Sequence, residues 1–268
     1  MEDFHEDIED VLTHAFRRIC QINSYSFIKT VLDKILLPQT VSIVGLTEEE
    51  LRIADMFYFT IWNKPLSGSD FSDSIDALNS LKKYPVLYGE LTELLDYLLS
   101  KIDFIEVTPT MESILPLRLY SSYSKNQVLA AMGVENPASV REGVKYISEK
   151  HIDVLFVTLN KSEKYYSSTT MYNDYAIDQN TFHWETQSTV SPSSPTARRY
   201  FGSPDNGNNV LLFVREYKEN LLGASPYIFL GGVRHKSHNG SNPVSIIWQM
   251  EEPIPRKYLE TVNNMLPA

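Results

Sequence analysis

Residues 172–199 have the sequence YNDYAIDQNTFHWETQSTVSPSSPTARR, in which two short β-forming runs precede a segment rich in Ser and Pro. Side chains alternate between the two faces of a strand, so Phe182 and Trp184 share one face and His183 and Glu185 share the other. Further short strands, separated by turn residues, continue toward the end of the chain, which is typical of a strongly curved sheet or a barrel. The stretch therefore indicates a second half built mainly from strands.

Two aromatic residues of this stretch, Tyr172 and Trp184, could approach each other across paired strands. Two such rings could hold a flat heterocycle between them, and stacking contributes roughly 1–3 kcal/mol per base. Asp174 could accept a hydrogen bond from an exocyclic amino group, and Tyr175 and Glu185 lie beside it in the predicted site. The spacing thus predicts a pocket for one unstacked nucleobase. The same spacing is also typical of aromatic residues that pack inside a barrel and an aspartate in a turn, because aromatic residues are common in strands.

Basic residues at two places could contact phosphates on either side of an extruded nucleotide. The first place is the end of the Ser/Pro segment, where Arg198 and Arg199 lie. The second is a run of cationic and polar residues before a turn-prone Asn-Gly pair, namely Arg234, His235, Lys236, Ser237 and His238. A solvated hairpin tip would have the same composition, so both interpretations stay open.

The composition limits what the chain can be and what it can bind. Hydrophobic residues make up 43% of its 268 residues, which excludes wholesale disorder. The net charge of −10 is uneven, because residues 1–116 carry 20 acidic and 9 basic residues (−11) and residues 117–268 carry 14 and 15 (+1). The second half can therefore present a local basic face to a polyanion. The single cysteine, Cys20, favours a reducing, cytoplasmic environment, and no apolar run approaches membrane-spanning length.

The periodicity of apolar residues divides the chain into a helical and a β-rich half. Helices are predicted over residues 7–37 (two helices, broken at Asn23 and Ser24), 47–61, 69–81, 88–102 and 124–133. Strands are predicted over 143–147, 153–158, 175–177, 181–186, 210–217, 227–236 and 244–250, before a last helix over 258–265. We therefore predict an α+β chain with an all-helical scaffold or docking domain at 1–116 and a curved β-barrel domain at 117–268.

Two alternatives to nucleic-acid recognition use the same residues. His183, Glu185, His235 and His238 could ligate a divalent metal in a nuclease, two from a strand face and two from a loop. A His-x-Glu pair and a His-x-x-His pair are weak signatures alone, and the sequence contains no Gly-rich phosphate loop or nucleophile elbow. The chain could also be a protein-interaction module that binds no nucleic acid. Of these interpretations we favour nucleic-acid recognition, and we expect the chain to carry it out without a catalytic residue, metal or cofactor.

Several segments of the second half resemble a known family. These segments are residues 156–163, 172–187, 191–196, 212–216, 229–231 and 245–248. They resemble the C-terminal domain of SauUSI-type type IV restriction endonucleases, which are modification-dependent bacterial proteins that join a phospholipase-D-like nuclease to a superfamily-two helicase. The resemblance is strong over 117–256 and weaker, mostly architectural, over the helical half.

That C-terminal domain is regarded as similar to the SET- and RING-associated (SRA, or YDG) domain, which flips 5-methylcytosine into a pocket on a PUA-like β-barrel. The YDG pocket uses a Tyr, an Asp soon after it and a second Tyr twelve residues from the first, and Tyr172, Asp174 and Trp184 match this layout with Trp in place of the second Tyr. The Asp stands one position early, so Glu185 and Asp178 are further candidates to accept from the amino group.

The resemblance implies a function and a set of partners. It implies non-catalytic recognition of 5-methylcytosine or 5-hydroxymethylcytosine in double-stranded DNA by base flipping. The nuclease and helicase domains of the same full-length polypeptide would then cut the DNA, as a defence against phage.

Overall fold

A computed structural model of the chain describes residues 8–110, 115–160, 174–205 and 207–262. The chain divides into two compact units. The helical unit contains Met1–Thr108, Glu112–Arg141 and Leu221–Pro226, and the sheet unit contains Pro109–Met111, Glu142–Asn220 and Tyr227–Ala268. Helices and a mixed sheet together confirm the predicted α+β class. In the described parts of the chain, no helix is long and apolar enough to cross a membrane.

The helical unit follows the predicted pattern closely. Its helices are α1 (Ile8–Ile19), α2 (Tyr25–Thr30, continued by a π-helical turn at Val31–Ile35), α3 (Glu48–Ile61), α4 (Ser74–Ser80), α5 (Pro85–Lys101) and α6 (Lys125–Ala131), and it also contains the short strands β1 (Ser122–Tyr123) and β8 (Gly223–Ala224). A capping box begins α3, because Thr47 Oγ1 accepts from the Glu50 amide at 3.2 Å and the Glu50 carboxylate accepts from the Thr47 amide at 2.8 Å. This second bond lowers the pKa of Glu50.

Residues 117–141 group with the helices, although the sequence pattern predicts them in the second domain. The physical reason is the packing of α6 against α3, where Gln127 Nε2 donates to Thr60 Oγ1 at 2.8 Å in a buried contact. Ser124 caps α6, and its hydroxyl accepts from the Gln127 amide. The domain boundary at residue 116 stays a prediction.

Apart from one two-residue strand at Glu219–Asn220 that the sequence does not predict, the strands of the sheet unit have bounds within a few residues of the predicted ones. The strands are β2 (Val144–Ile147), β3 (Ile152–Asn160), β4 (Tyr175–Asp178), β5 (Thr181–Glu185), β6 (Asn209–Tyr217), β7 (Glu219–Asn220), β9 (Tyr227–Asn239) and β10 (Ser245–Met250). Along the sheet the order is β2-β3-β6-β9-β10-β5-β4, in which β3 and β6 are parallel and the other neighbours antiparallel. The closure of this sheet into a barrel stays a prediction.

A helix lies where the sequence predicts only a Ser/Pro loop. Helix α7 (Pro195–Phe201) begins with Ser194 as its cap, whose hydroxyl accepts from the Ala197 amide at 3.2 Å. Proline at the first helical position fits because its missing amide would have had no partner there. α7 buries Tyr200 against the sheet core, and α8 (Arg256–Val262) closes the unit.

Candidate nucleic-acid interface

The predicted alternation of β5 is confirmed, and it separates two faces. Phe182 and Trp184 are buried, whereas His183 and Glu185 are half-buried on the opposite side of the strand. Strand β10 continues both faces, because Trp248 lies opposite Phe182 in the register. The first side of β5 is therefore the core face and the second is a surface.

Trp184 belongs to the core. The residue is 6% exposed, and its indole packs edge-on against Tyr200, with ring centroids 5.6 Å apart, and beside Trp248 at 6.2 Å. A side chain buried to this extent offers no open ring face to a base. The structure thus places Trp184 in the interior, the alternative that its spacing left open. Its predicted partner, Tyr172, lies outside the described residues.

We call the set of half-buried side chains Tyr175, His183, Glu185 and Ser245 the outer face. Tyr175 lies opposite His183 in the β4–β5 register, and their rings stack with centroids 4.8 Å apart and an interplanar angle of 21°. His183 Nε2 and Ser245 Oγ share a hydrogen bond at 2.7 Å. The outer face therefore carries an aromatic pair whose orientation is fixed by a neighbouring strand.

The three candidate carboxylates have different surroundings. Asp174 is 3% exposed and its Oδ1 accepts from the Glu185 amide at 3.0 Å, so it fixes the end of β5. Asp178 Oδ1 accepts from the Asn180 amide at 2.7 Å in the turn before β5, and this bond lowers the pKa of Asp178. Glu185 lies on the outer face, opposite Ser245. Of these three, Glu185 is the acceptor that shares a surface with aromatic rings.

A bulge in β9 determines where the predicted basic run points. Ser237 lies opposite Ile247 of β10, but His235 lies opposite Trp248, so Lys236 is an extra residue in the ladder. His235 consequently shares a face with the core residue Trp248. Lys236 and Ser237 are exposed.

The rings at the end of β9 form a cluster with α7. His235 Nε2 and His238 Nδ1 share a hydrogen bond at 2.9 Å, and Phe201 stacks flat on His238 at 3.7 Å and 7°. Burial, and then the charge of His238, lowers the pKa of His235. Arg234 is exposed, and its Nε pairs with Glu251 at 3.1 Å. This end of β9 therefore combines exposed cations with ordered aromatic rings.

The two neighbouring arginines of α7 differ in what holds them. Arg199 donates to Asp153 through Nε and Nη2, at 3.0 and 3.2 Å, and its guanidinium lies 4.1 Å above the ring of Tyr146. The bond to Asp153 raises the pKa of Arg199. Asp153 is 1% exposed and also accepts from Asn208. Arg199 is thus a structural ion-pair partner, whereas Arg198 is exposed on the helix.

The geometry does not support the alternative of a metal site formed by the four predicted ligands. His183 and Glu185 lie on the outer face, but the β9 bulge directs His235 to the side of Trp248, and His238 lies opposite the core residue Ile246. Within the ranges that the structure describes, no group of three or more His, Cys, Asp or Glu side chains could hold a metal ion. The four predicted ligands are therefore split between two sides of the sheet.

Comparison with known proteins identifies the family. A family model described as a domain of unknown function, DUF3427, matches residues 117–262. Because this match covers more than half of the 268 residues, the chain belongs to the DUF3427 family. The comparison with curated proteins found no match.

One similar solved structure is that of Arabidopsis thaliana SUVH6 in complex with SAM. The TM-score is 0.36 and the sequence identity 9%, over 94% of this chain and 41% of that chain. The chain thus spans less than half the length of SUVH6 in that structure. A TM-score this low does not establish a common fold.

Proposed function

We propose that the chain is a non-catalytic module that binds DNA carrying modified cytosine and recognises the base after flipping it out of the duplex. The observation that carries this proposal is the outer face, where Tyr175 and Glu185 lie on the same side of the sheet. The two residues are diagonal neighbours across β4 and β5, for which Cβ atoms are about 7 Å apart. A stacking surface and an anionic acceptor at that spacing suit a cytosine ring and its amino group.

The free energies of base flipping and of methyl burial determine how strongly the chain should prefer 5-methylcytosine to cytosine. Flipping a base costs a few kcal/mol, which stacking, amino-group recognition and phosphate contacts must offset. One buried methyl group contributes only about 0.8 kcal/mol, or roughly a fourfold preference for 5-methylcytosine over cytosine. Stronger discrimination would need a pocket that fits the methyl group closely.

Phosphate contacts are proposed for exposed cations of α7 and β9. Arg198, Arg234 and Lys236 are exposed, and Ser237 and His238 extend the same end of β9. The near-neutral charge of residues 117–268 lets such a local basic set attract DNA despite the net charge of −10. Two arginines of the predicted set are already paired with carboxylates: Arg199 with the buried Asp153, and the more exposed Arg234 with Glu251.

The resemblance to SauUSI-type restriction endonucleases supplies the proposed context. In a full-length protein of that kind, nuclease and helicase domains of the same polypeptide would cut DNA that this module selects. The helical unit would then act as a scaffold or as a docking surface for those domains.

The test is a binding panel with one duplex that carries cytosine, 5-methylcytosine, 5-hydroxymethylcytosine or 6-methyladenine at the same site. The proposal predicts the tightest binding to a modified-cytosine duplex and an affinity that falls steeply with salt. Equal affinity for all four duplexes would contradict base recognition. Failure to bind any duplex at low salt would favour a protein-interaction module instead.

A further inference from the structure

We infer that His183, held by Ser245, is a second base-stacking residue, so that the flipped base stacks on the Tyr175–His183 pair of the outer face. The inference rests on the proposed function and specifies the surface at which it takes place. It moves the contact away from the slot beside Trp184 and to the opposite side of β5. The ligand is an unstacked pyrimidine of DNA.

The geometry of the pair supports this assignment. Tyr175 and His183 lie on adjacent strands with their rings 4.8 Å apart and 21° from parallel, and both stay half-buried. Two rings that are already stacked, with part of their surface open to solvent, can extend the stack by one base without reorganising. Base–aromatic stacking of this kind tolerates different bases, because every base presents a π-face.

Ser245 acts on this pair through His183. Its Oγ shares the 2.7 Å hydrogen bond with His183 Nε2, and Ser245 lies opposite Glu185 in the β5–β10 register. The four residues of the outer face therefore occupy neighbouring positions on three consecutive strands. A base that extends this stack would lie on the side of the sheet that also carries Ser245 and Glu185.

The core face of β5 cannot stack a flipped base in this structure. Trp184 contacts Tyr200 and Trp248 and is 6% exposed, so a base could reach its ring only by displacing core residues. Because side chains alternate along β5, the residues that remain accessible on this strand are those beside Trp184 in sequence, His183 and Glu185.

The experiment compares variants of the full chain on the 5-methylcytosine duplex by fluorescence anisotropy. His183→Gln removes the ring but keeps a hydrogen-bonding group for Ser245, whereas His183→Phe keeps a ring and loses that bond. Tyr175→Ala removes the other ring. The matched control is Tyr217→Ala, which removes an exposed tyrosine of the same unit at the end of β6. Thermal unfolding of each variant establishes that it is folded.

We expect His183→Gln and Tyr175→Ala to weaken binding about tenfold, which is within the range for loss of one stacking partner. His183→Phe should stay within about threefold of wild type, and Tyr217→Ala should bind as wild type does. Wild-type affinity in folded His183→Gln would overturn the inference, as would equal losses in His183→Phe and His183→Gln.

The failure of this inference is distinguishable from failure of the proposed function. A wild-type protein that prefers modified cytosine, together with His183 variants that bind equally well, overturns the stacking assignment alone. A wild-type protein that does not distinguish the four duplexes overturns the proposed function, and the inference with it.

Discussion

The two faces of β5 contain alternate residues of one five-residue strand, yet they have opposite roles. Phe182 and Trp184 are buried among the aromatic residues of the core, whereas His183 and Glu185 remain accessible. The difference teaches that a large aromatic residue in a strand is not evidence for a ligand slot until its face is known. In this sheet, the more polar of the two alternating sets is the one that remains open to bind.

The largest expected effect is the loss of stability on substitution of a core-face residue of β5. Trp184→Ala should destabilise the protein by about 3–5 kcal/mol, because it leaves a cavity beside Tyr200 and Trp248. Tyr175→Ala on the outer face should change stability by less than about 1 kcal/mol. Urea unfolding of both variants measures the contrast. Similar losses in the two variants would break the comparison between faces.

A smaller contrast separates the neighbouring arginines of α7. Arg199→Ala should cost about 2–3 kcal/mol, less than a fully buried pair would, because the Arg199 side chain is 27% exposed. Arg198→Ala should leave stability within about 0.5 kcal/mol, but should weaken binding to every duplex and reduce the salt slope by about 1. Unfolding curves and salt titrations of the two variants measure this. Equal stability losses would show that Arg198 is also structural.

Asp174 and Glu185 are expected to differ in their contribution to stability. Asp174→Ala should destabilise by about 1–2 kcal/mol, because the Glu185 amide loses its acceptor near the end of β5. Glu185→Gln should be close to neutral for stability, since its side chain lies on the outer face. Thermal unfolding of both variants, with wild type alongside, checks the prediction. A destabilised Glu185→Gln variant would assign Glu185 a structural role.

The smallest expected effect is a pH dependence from His235. Burial, with the charge of His238, lowers its folded-state pKa below the usual 6.5, so the unfolded state binds more protons as the pH falls through that region. The stability contributed by neutral His235 is therefore complete above about pH 6.5 and is lost as the pH falls through the folded pKa. His235→Gln should flatten this part of a stability-versus-pH curve. An unchanged slope in the variant would contradict the assignment.

Local patterns made most of the fold predictable. The break between α1 and α2 and the alternation of β5 depend on neighbours in sequence, and both are confirmed. Helix α7 was missed because a segment rich in Ser and Pro usually forms a loop, although Ser194 followed by Pro195 is a recognisable helix start.

The candidate site was less predictable, because it depends on long-range packing. Alternation sorts residues into two faces but does not say which face points inward, and the inward direction of Trp184 follows from its contacts with α7 and β10. The bond between His183 and Ser245 joins residues 62 positions apart, and the register that pairs them is not visible locally. The bulge at Lys236 had no sequence signal either, and it alone separates His235 from the outer face.

The central claim is that the carboxylate of the outer face selects the base. The most direct measurement is the dissociation constant for duplexes that carry cytosine, 5-methylcytosine or no base at the target site, in wild type and in Glu185→Leu, which has no side-chain acceptor. We predict that wild type binds both cytosine-containing duplexes more tightly than the abasic one, and the methylated one most tightly, and that Glu185→Leu stays folded but loses this preference. A folded Glu185→Leu variant with the full wild-type preference would contradict the claim.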